Sequence, residues 1–186
     1  MNNFSRFLTT LLILLVLPLI MLSYLPSAQA YDSTKIILPG VSDRSGYNNP
    51  ALNAALQNKL RSQFRFPKYE TSLTAPLTVA PDRTSLEKIT ADQSADGAVV
   101  VEVNFLQNRM ITSLFDDESY EETNLTLTLT YFDKKAGQYG SFKANRSVTL
   151  LSSVDSGPLP LAVEALEELL NRLDAVFPRQ FPGPRY

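Results

Sequence analysis

The 186-residue sequence contains no cysteine and no histidine. Without histidine there is no imidazole to serve as a general base near neutral pH. Without cysteine there is no thiolate nucleophile, no disulfide, and no Cys or His ligand set for zinc, haem or an iron–sulfur cluster. Net charge is small: 17 Lys+Arg stand against 19 Asp+Glu, leaving −2. That excludes the strongly basic footprint of a dedicated nucleic-acid binder. Glycine is sparse, and Gly40, Gly46, Gly97, Gly137, Gly140, Gly157 and Gly183 fall where the hydrophobic pattern breaks rather than in a phosphate-cradling loop. Proline is missing between Pro81 and Pro158. The longest regular elements are expected there, because central strands exclude proline.

Residues 1–30 read as a secretory signal. Arg6 is the one charge before an apolar run over residues 11–21, and Ala28 and Ala30 are small residues at a cleavage-site spacing. Cleavage is expected after Ala30, leaving Tyr31 first. The apolar run is short for a membrane span of about 20 residues, so no transmembrane helix is expected after cleavage. No cysteine follows it to carry a lipid anchor. An exported chain without disulfides fits a bacterial envelope, periplasmic or extracellular, better than a small secreted eukaryotic domain. Residues 31–177 are expected to form one α+β domain, and residues 178–186, with three prolines, a flexible tail.

Within that domain the hydrophobic period changes along the chain. Lys35 to Leu38 is a short buried strand stopped by Pro39 and Gly40, and Val41 to Tyr47 a polar loop. Asn49 followed by Pro50 gives an N-cap and a first-turn proline. The helix behind them carries Leu52, Ala55, Leu56, Leu60 and Phe64 on one face. Lys68 to Leu73 reads as a second strand and Thr84 to Thr90 as a short helix. From Val99 the period becomes two, with Val99, Val101, Val103 and Phe105 expected to face inward and Val100, Glu102, Asn104 and Leu106 outward. Leu125, Leu127, Leu129 and Tyr131 alternate with Thr126, Thr128 and Thr130. Phe142, Ala144, Val148 and Leu150 alternate with Lys143, Asn145, Ser147 and Thr149. Arg146 falls on the apolar side and is expected near a strand end or a bulge. A final helix from Pro158 carries a stripe from Leu161 to Phe177, with Glu164, Glu167 and Glu168 in its first turns, where acids suit the helix dipole.

The fold class is therefore α+β: two layers with a mixed sheet, strand–helix–strand followed by a three-stranded antiparallel meander, and two main helices on one face. The other sheet face is left wet or covered by a partner.

Several of these segments carry a family likeness: Ile36, Ile37, Leu38 and Pro39; a polar loop with Asp43 and Ser45; Phe66, Pro67, Lys68, Tyr69 and Glu70; and Ala95, Asp96, Gly97, Ala98, Val99, Val100 and Val101 before the long strand. Together they resemble the α/β domain shared by the TolB amino-terminal domain, the curli-secretion lipoprotein and the lipoprotein activator of penicillin-binding proteins. The likeness covers most of residues 35–177. It implies a non-enzymatic envelope protein that works through protein contacts. The chain departs from two of those families in lacking the lipidated cysteine.

The residues offer no catalytic motif. The acidic cluster Asp116, Asp117, Glu118, Glu121 and Glu122 lacks the spacing of a calcium loop and reads as a solvated hairpin end. Glu102 lies mid-strand near Thr128 or Lys143 and is expected to meet a Lys or Arg rather than a second carboxylate. The loop from Ser42 to Tyr47 precedes a helix N-terminus, where an anion can be held, with Arg44 for this and Asp43 against it. No catalytic, cofactor or metal residue is assigned. The candidate binding face is Glu102, Asn104, Thr126, Thr128, Thr130, Lys143 and Asn145. The expected function is an exported accessory or binding domain, its partner an envelope protein or a second copy and not nucleic acid. The alternative is a small carboxylate-dependent hydrolase of envelope glycan or peptide, which needs two convergent acids in one pocket.

Overall fold

A computed structural model describes residues 32–112, 118–151 and 157–180. The expected leader, Asp116 and Asp117 of the acidic cluster, and the end of the expected tail lie outside the described residues.

The first strand, β1 (Thr34–Pro39), is apolar at three successive positions, Ile36, Ile37 and Leu38, and all three are buried. Such a run marks a strand covered on both faces, and β1 is indeed flanked by two parallel neighbours. The segment expected as a plain polar loop includes a second short strand, β2 (Ser42–Asp43), with Val41 and Ser42 buried. Helix α1 (Pro50–Gln63) starts as its sequence dictates: the Asn49 side chain accepts a hydrogen bond from the Leu52 amide at 3.0 Å. Strand β3 (Tyr69–Thr74) follows, then helix α2 (Arg83–Asp92), whose Asp82 and Ser85 form a reciprocal capping box. The meander consists of β4 (Gly97–Thr112), β5 (Ser119–Asp133) and β6 (Gln138–Leu151), and helix α3 (Pro158–Leu173) closes the chain.

The sheet order is β3-β1-β4-β5-β6, with β2 extending the β1 side of β4. β3, β1 and β4 are parallel, and β4, β5 and β6 antiparallel. Helices α1 and α3 lie together on one face, over Val99, Val101, Val103, Leu125, Leu127, Leu129 and Tyr131. The expected two-layer arrangement with two main helices on one face is what the structure has. The short α2 covers the opposite face at one end, where Leu86 packs with Ile37, Ala98, Val100 and Phe132. Connection handedness explains this placement. The β1–α1–β3 crossover moves one way across the sheet and β3–α2–β4 moves back the other way. Two right-handed crossovers in opposite directions put their helices on opposite faces.

Two local expectations change. The last helix ends at Leu173, and Val176 and Phe177 reach the core from a following turn rather than from helix. Counted from Pro158, Glu164, Glu167 and Glu168 lie beyond the first turn, and the latter two serve ion pairs, Glu167 with Lys59 at 2.5 Å and Glu168 with Arg146 and Arg172. Arg146 sits neither at a strand end nor at a bulge. It stands mid-strand opposite Leu125, on the helix side, and its guanidinium reaches Glu168 on α3. An arginine is tolerated there because its charge is met by a carboxylate at the edge of the core. The segment after α3 is bound at its start: Pro178 O accepts from Lys68 Nζ at 2.7 Å and Tyr69 Oη at 2.8 Å, and Arg179 donates to Glu167 and Asn171.

Candidate functional site

The face of the meander that points away from α1 and α3 is built by the pleat. In register across the three strands, Val100 stands beside Thr130 and Ser141, Glu102 beside Thr128 and Lys143, and Phe105 beside Thr126 and Asn145. Six of the seven residues expected on this face therefore fall in adjacent rows. Their environments differ. Thr130 lies toward the end of the face that α2 covers and is only 3% exposed. Thr128 and Thr126 are half-buried, whereas Lys143 and Asn145 are exposed. The Thr126 hydroxyl donates to Asn145 Oδ1 at 3.0 Å. The Lys143 ammonium has no ion-pair partner among the described residues.

Glu102 is 5% exposed. Its partner comes from a distant segment: β2 pairs Ser42 with Glu102, the Arg44 amide donates to Val103 O at 2.8 Å, and Arg44 Nε then donates to Glu102 Oε1 at 2.6 Å. Arg44, weighed in the sequence as an anion ligand of the loop, is thereby committed to a carboxylate. Asp43 turns back on its own loop, its Oδ1 accepting from the Ser45 amide and hydroxyl.

The seventh expected residue, Asn104, behaves differently. The β4–β5 register slips between Val103 and Phe105, so Asn104 has no opposite residue and sits in a β-bulge. A bulge reverses the inside–outside order of everything beyond it. Leu106, expected outside, is 6% exposed and joins the core. Phe105, expected inside, is 47% exposed on the open face. Phe105 is thus the residue of this face that sequence alternation misses. The only hint is that Phe105 and Leu106 are adjacent large apolar residues where the alternation from Val101 to Val103 calls for one apolar and one polar.

Beyond Leu106 the β4–β5 pair continues to Thr112 opposite Ser119. On the open face Arg109 pairs with Glu122 across the sheet at 2.6 Å. Hydrogen bonds from Arg109 and then Asn124 hold the Glu122 carboxyl below the usual carboxylate range. On the other face Glu121 accepts from Asn108 Nδ2 at 2.6 Å. Glu121 and Glu122 are therefore strand residues, not turn residues. Among the described residues no group of three or more acids is placed to hold a metal ion.

Two clefts open near the C-terminal end of α1. One, of about 200 Å³, is lined by Lys59, Arg65, Glu167 and Arg179; the other includes Arg61, Arg65, Phe66 and Glu70. Each holds a single acid among cations. In the first, burial alone would raise Glu167, but hydrogen bonds from Lys59 and Arg179 outweigh it and hold the carboxyl low.

The sequence matches no family model, and no curated protein resembles it significantly. Among solved structures, the chain is similar to the PelC dodecamer protein of Paraburkholderia phytofirmans, with 15% identity, 80% of this chain and 90% of that chain covered, and a TM-score of 0.47. It is also similar to a Helicobacter pylori protein described as a neuraminyllactose-binding hemagglutinin homolog, with 13% identity, coverages of 77% and 85%, and a TM-score of 0.48. A third likeness is to lipoprotein GNA1162 of Neisseria meningitidis, with 12% identity, coverages of 76% and 99%, and a TM-score of 0.43. At TM-scores below 0.5 these likenesses bear on neither ligand nor activity.

Proposed function

We propose that this chain is an exported, non-catalytic accessory domain of the cell envelope that holds another protein against the open face of its meander. Export rests on the leader read in residues 1–30. Among the described residues, no helix is long and apolar enough to cross a membrane.

The observation that carries the reading is Phe105. A bulge turns this side chain out of the core and leaves it 47% exposed amid hydroxyls and amides. Displaying a phenyl ring in water forgoes about 1 kcal/mol or more of burial, and exposed aromatics ringed by polar groups are the usual anchors of protein recognition. The two carboxylates that flank this row on β4 and β5, Glu102 and Glu122, are each engaged by an arginine. That supports a recognition surface over the alternative, a carboxylate-dependent hydrolase.

The test places a photo-crosslinking residue at position 105 in the native envelope, with Lys88, exposed on α2, as the control position. The expected result is a discrete protein adduct from position 105 and none from 88. Turnover of an envelope glycan or peptide by the purified chain, abolished by Glu102→Gln, would sink the reading.

A further inference from the structure

Strand β6 ends the sheet. It pairs with β5 over all 14 residues, Leu151 opposite Tyr120 through Gln138 opposite Asp133, without a register shift. Among the described residues its other side meets no strand. A long, straight, unpaired edge is a template for another strand, and chains normally blunt such edges with proline, bulges, short length or unpaired charge. The opposite edge, β3, is six residues long and is followed closely by Pro76. β6 has neither proline nor bulge, and among the described residues its one charge without an ion-pair partner is Lys143, which opposes an incoming strand that brings no carboxylate. Arg146 is consumed by Glu168.

What remains along this edge has a definite chemistry. β6 contains no acidic residue, and among the described residues Lys143 is its cation without an ion-pair partner. On the helix side, Phe142 and Leu161 are only partly buried against the core, and Val148 is half-buried. Near the strand end, Leu150 and Leu151 are exposed. On the open side, Lys143, Asn145, Ser147 and Thr149 are exposed and polar. A strand laid against this edge thus meets apolar groups on either side of the Arg146–Glu168 ion pair on one face, and Lys143 among polar groups on the other.

We propose that β6 receives, by strand addition, an extended segment of the partner protein, apolar on the side toward α3 and bearing a carboxylate beside Lys143. Main-chain hydrogen bonds to the free edge supply affinity, and the alternating side chains supply register and selectivity. This rests on the recognition reading above and adds the partner's form and its charge.

The probe is a short synthetic peptide that alternates valine with threonine and bears one central aspartate, with a lysine-bearing twin. Both are titrated into the full chain. The aspartate peptide is expected to bind about fivefold more tightly than its twin, and Lys143→Glu to reverse that order, since opposite charges facing across strands stabilise and like charges do the reverse. Amide exchange is expected to slow in β6 on peptide binding and to stay unchanged in β3. An unchanged preference in Lys143→Glu, or slowed exchange in β3 instead of β6, overturns the proposal. So does a chain that self-associates with its β6 amides already protected, because a second copy then fills the edge. If Lys143→Glu leaves the adduct from position 105 intact in the native envelope, the edge proposal falls while the recognition face stands.

Discussion

Arg44 and Glu102 are 58 residues apart in sequence and 2.6 Å apart in space, with the carboxylate side chain buried and the guanidinium one-third exposed. The inequality decides what each substitution does. Arg44→Ala strands a buried carboxylate, and breaking a pair that way costs about 3 kcal/mol. Glu102→Gln keeps a polar group within reach of an arginine that water also serves, and is expected to cost about 1 kcal/mol. Denaturant unfolding of the two variants compares them. Equal losses would mean that Glu102 is not the desolvated member.

The bulge at Asn104 makes a prediction that inverts the sequence pattern. Period-two alternation puts Phe105 in the core and Leu106 outside, whereas the structure exchanges them. Leu106→Ala is therefore expected to destabilise by about 2–4 kcal/mol, and Phe105→Ala by under about 1 kcal/mol. Unfolding midpoints at constant denaturant slope measure both. A larger loss at Phe105 would remove the bulge, and with it the argument for an exposed anchor.

How far the sequence could be read follows from the same residues. The stripe Leu52, Leu56 and Leu60 and the alternation of Leu125 to Tyr131 with Thr126 to Thr130 are direct images of helical and strand geometry, so the elements and the two-layer scheme were legible. The row of Glu102, Thr128 and Lys143 followed from pairing neighbouring strands. The bulge left no such image, because a one-residue slip needs no glycine and changes no composition. The burial of Thr130 depends on α2, whose face is fixed by crossover handedness rather than by local pattern. Arg146 looked misplaced in β6 because its justification, Glu168, lies on a helix that docks only in the folded chain.

Gly97 begins β4 at a point where the sequence suggests mere punctuation. The structure gives it a packing role: a Cβ there would lie 2.7 Å from Phe132 O and 3.0 Å from the Phe177 ring. The backbone oxygen belongs to the strand paired with β4, so it cannot move aside without disturbing the ladder. Gly97→Ala is expected to cost about 1–3 kcal/mol, the range of overpacked cores. Thermal unfolding checks it, and an unchanged midpoint would show that β4 and β5 separate more easily at this end than the register implies.

Tyr69 links β3 to the segment after α3. Its hydroxyl donates to Pro178 O at 2.8 Å, and burial, reinforced by the carboxylates of Asp174 and Asp133, pushes the phenol from 10.0 up to about 12. Below pH 10 the phenol keeps its proton in both folded and unfolded chains, so its contribution is fully present. Between 10 and about 12 the unfolded chain has released the proton and the folded one has not, so stability falls as pH rises. Tyr69→Phe removes this dependence together with the hydrogen bond, at a neutral-pH cost of about 1 kcal/mol. The wild-type chain should therefore be the more stable at pH 7 to 9 and lose that lead progressively through the alkaline range. Denaturant unfolding of both proteins along that range measures the gap. A gap that stays constant would mean that Tyr69 ionises as readily in the folded chain as in the unfolded one, and that Pro178 does not hold its hydroxyl.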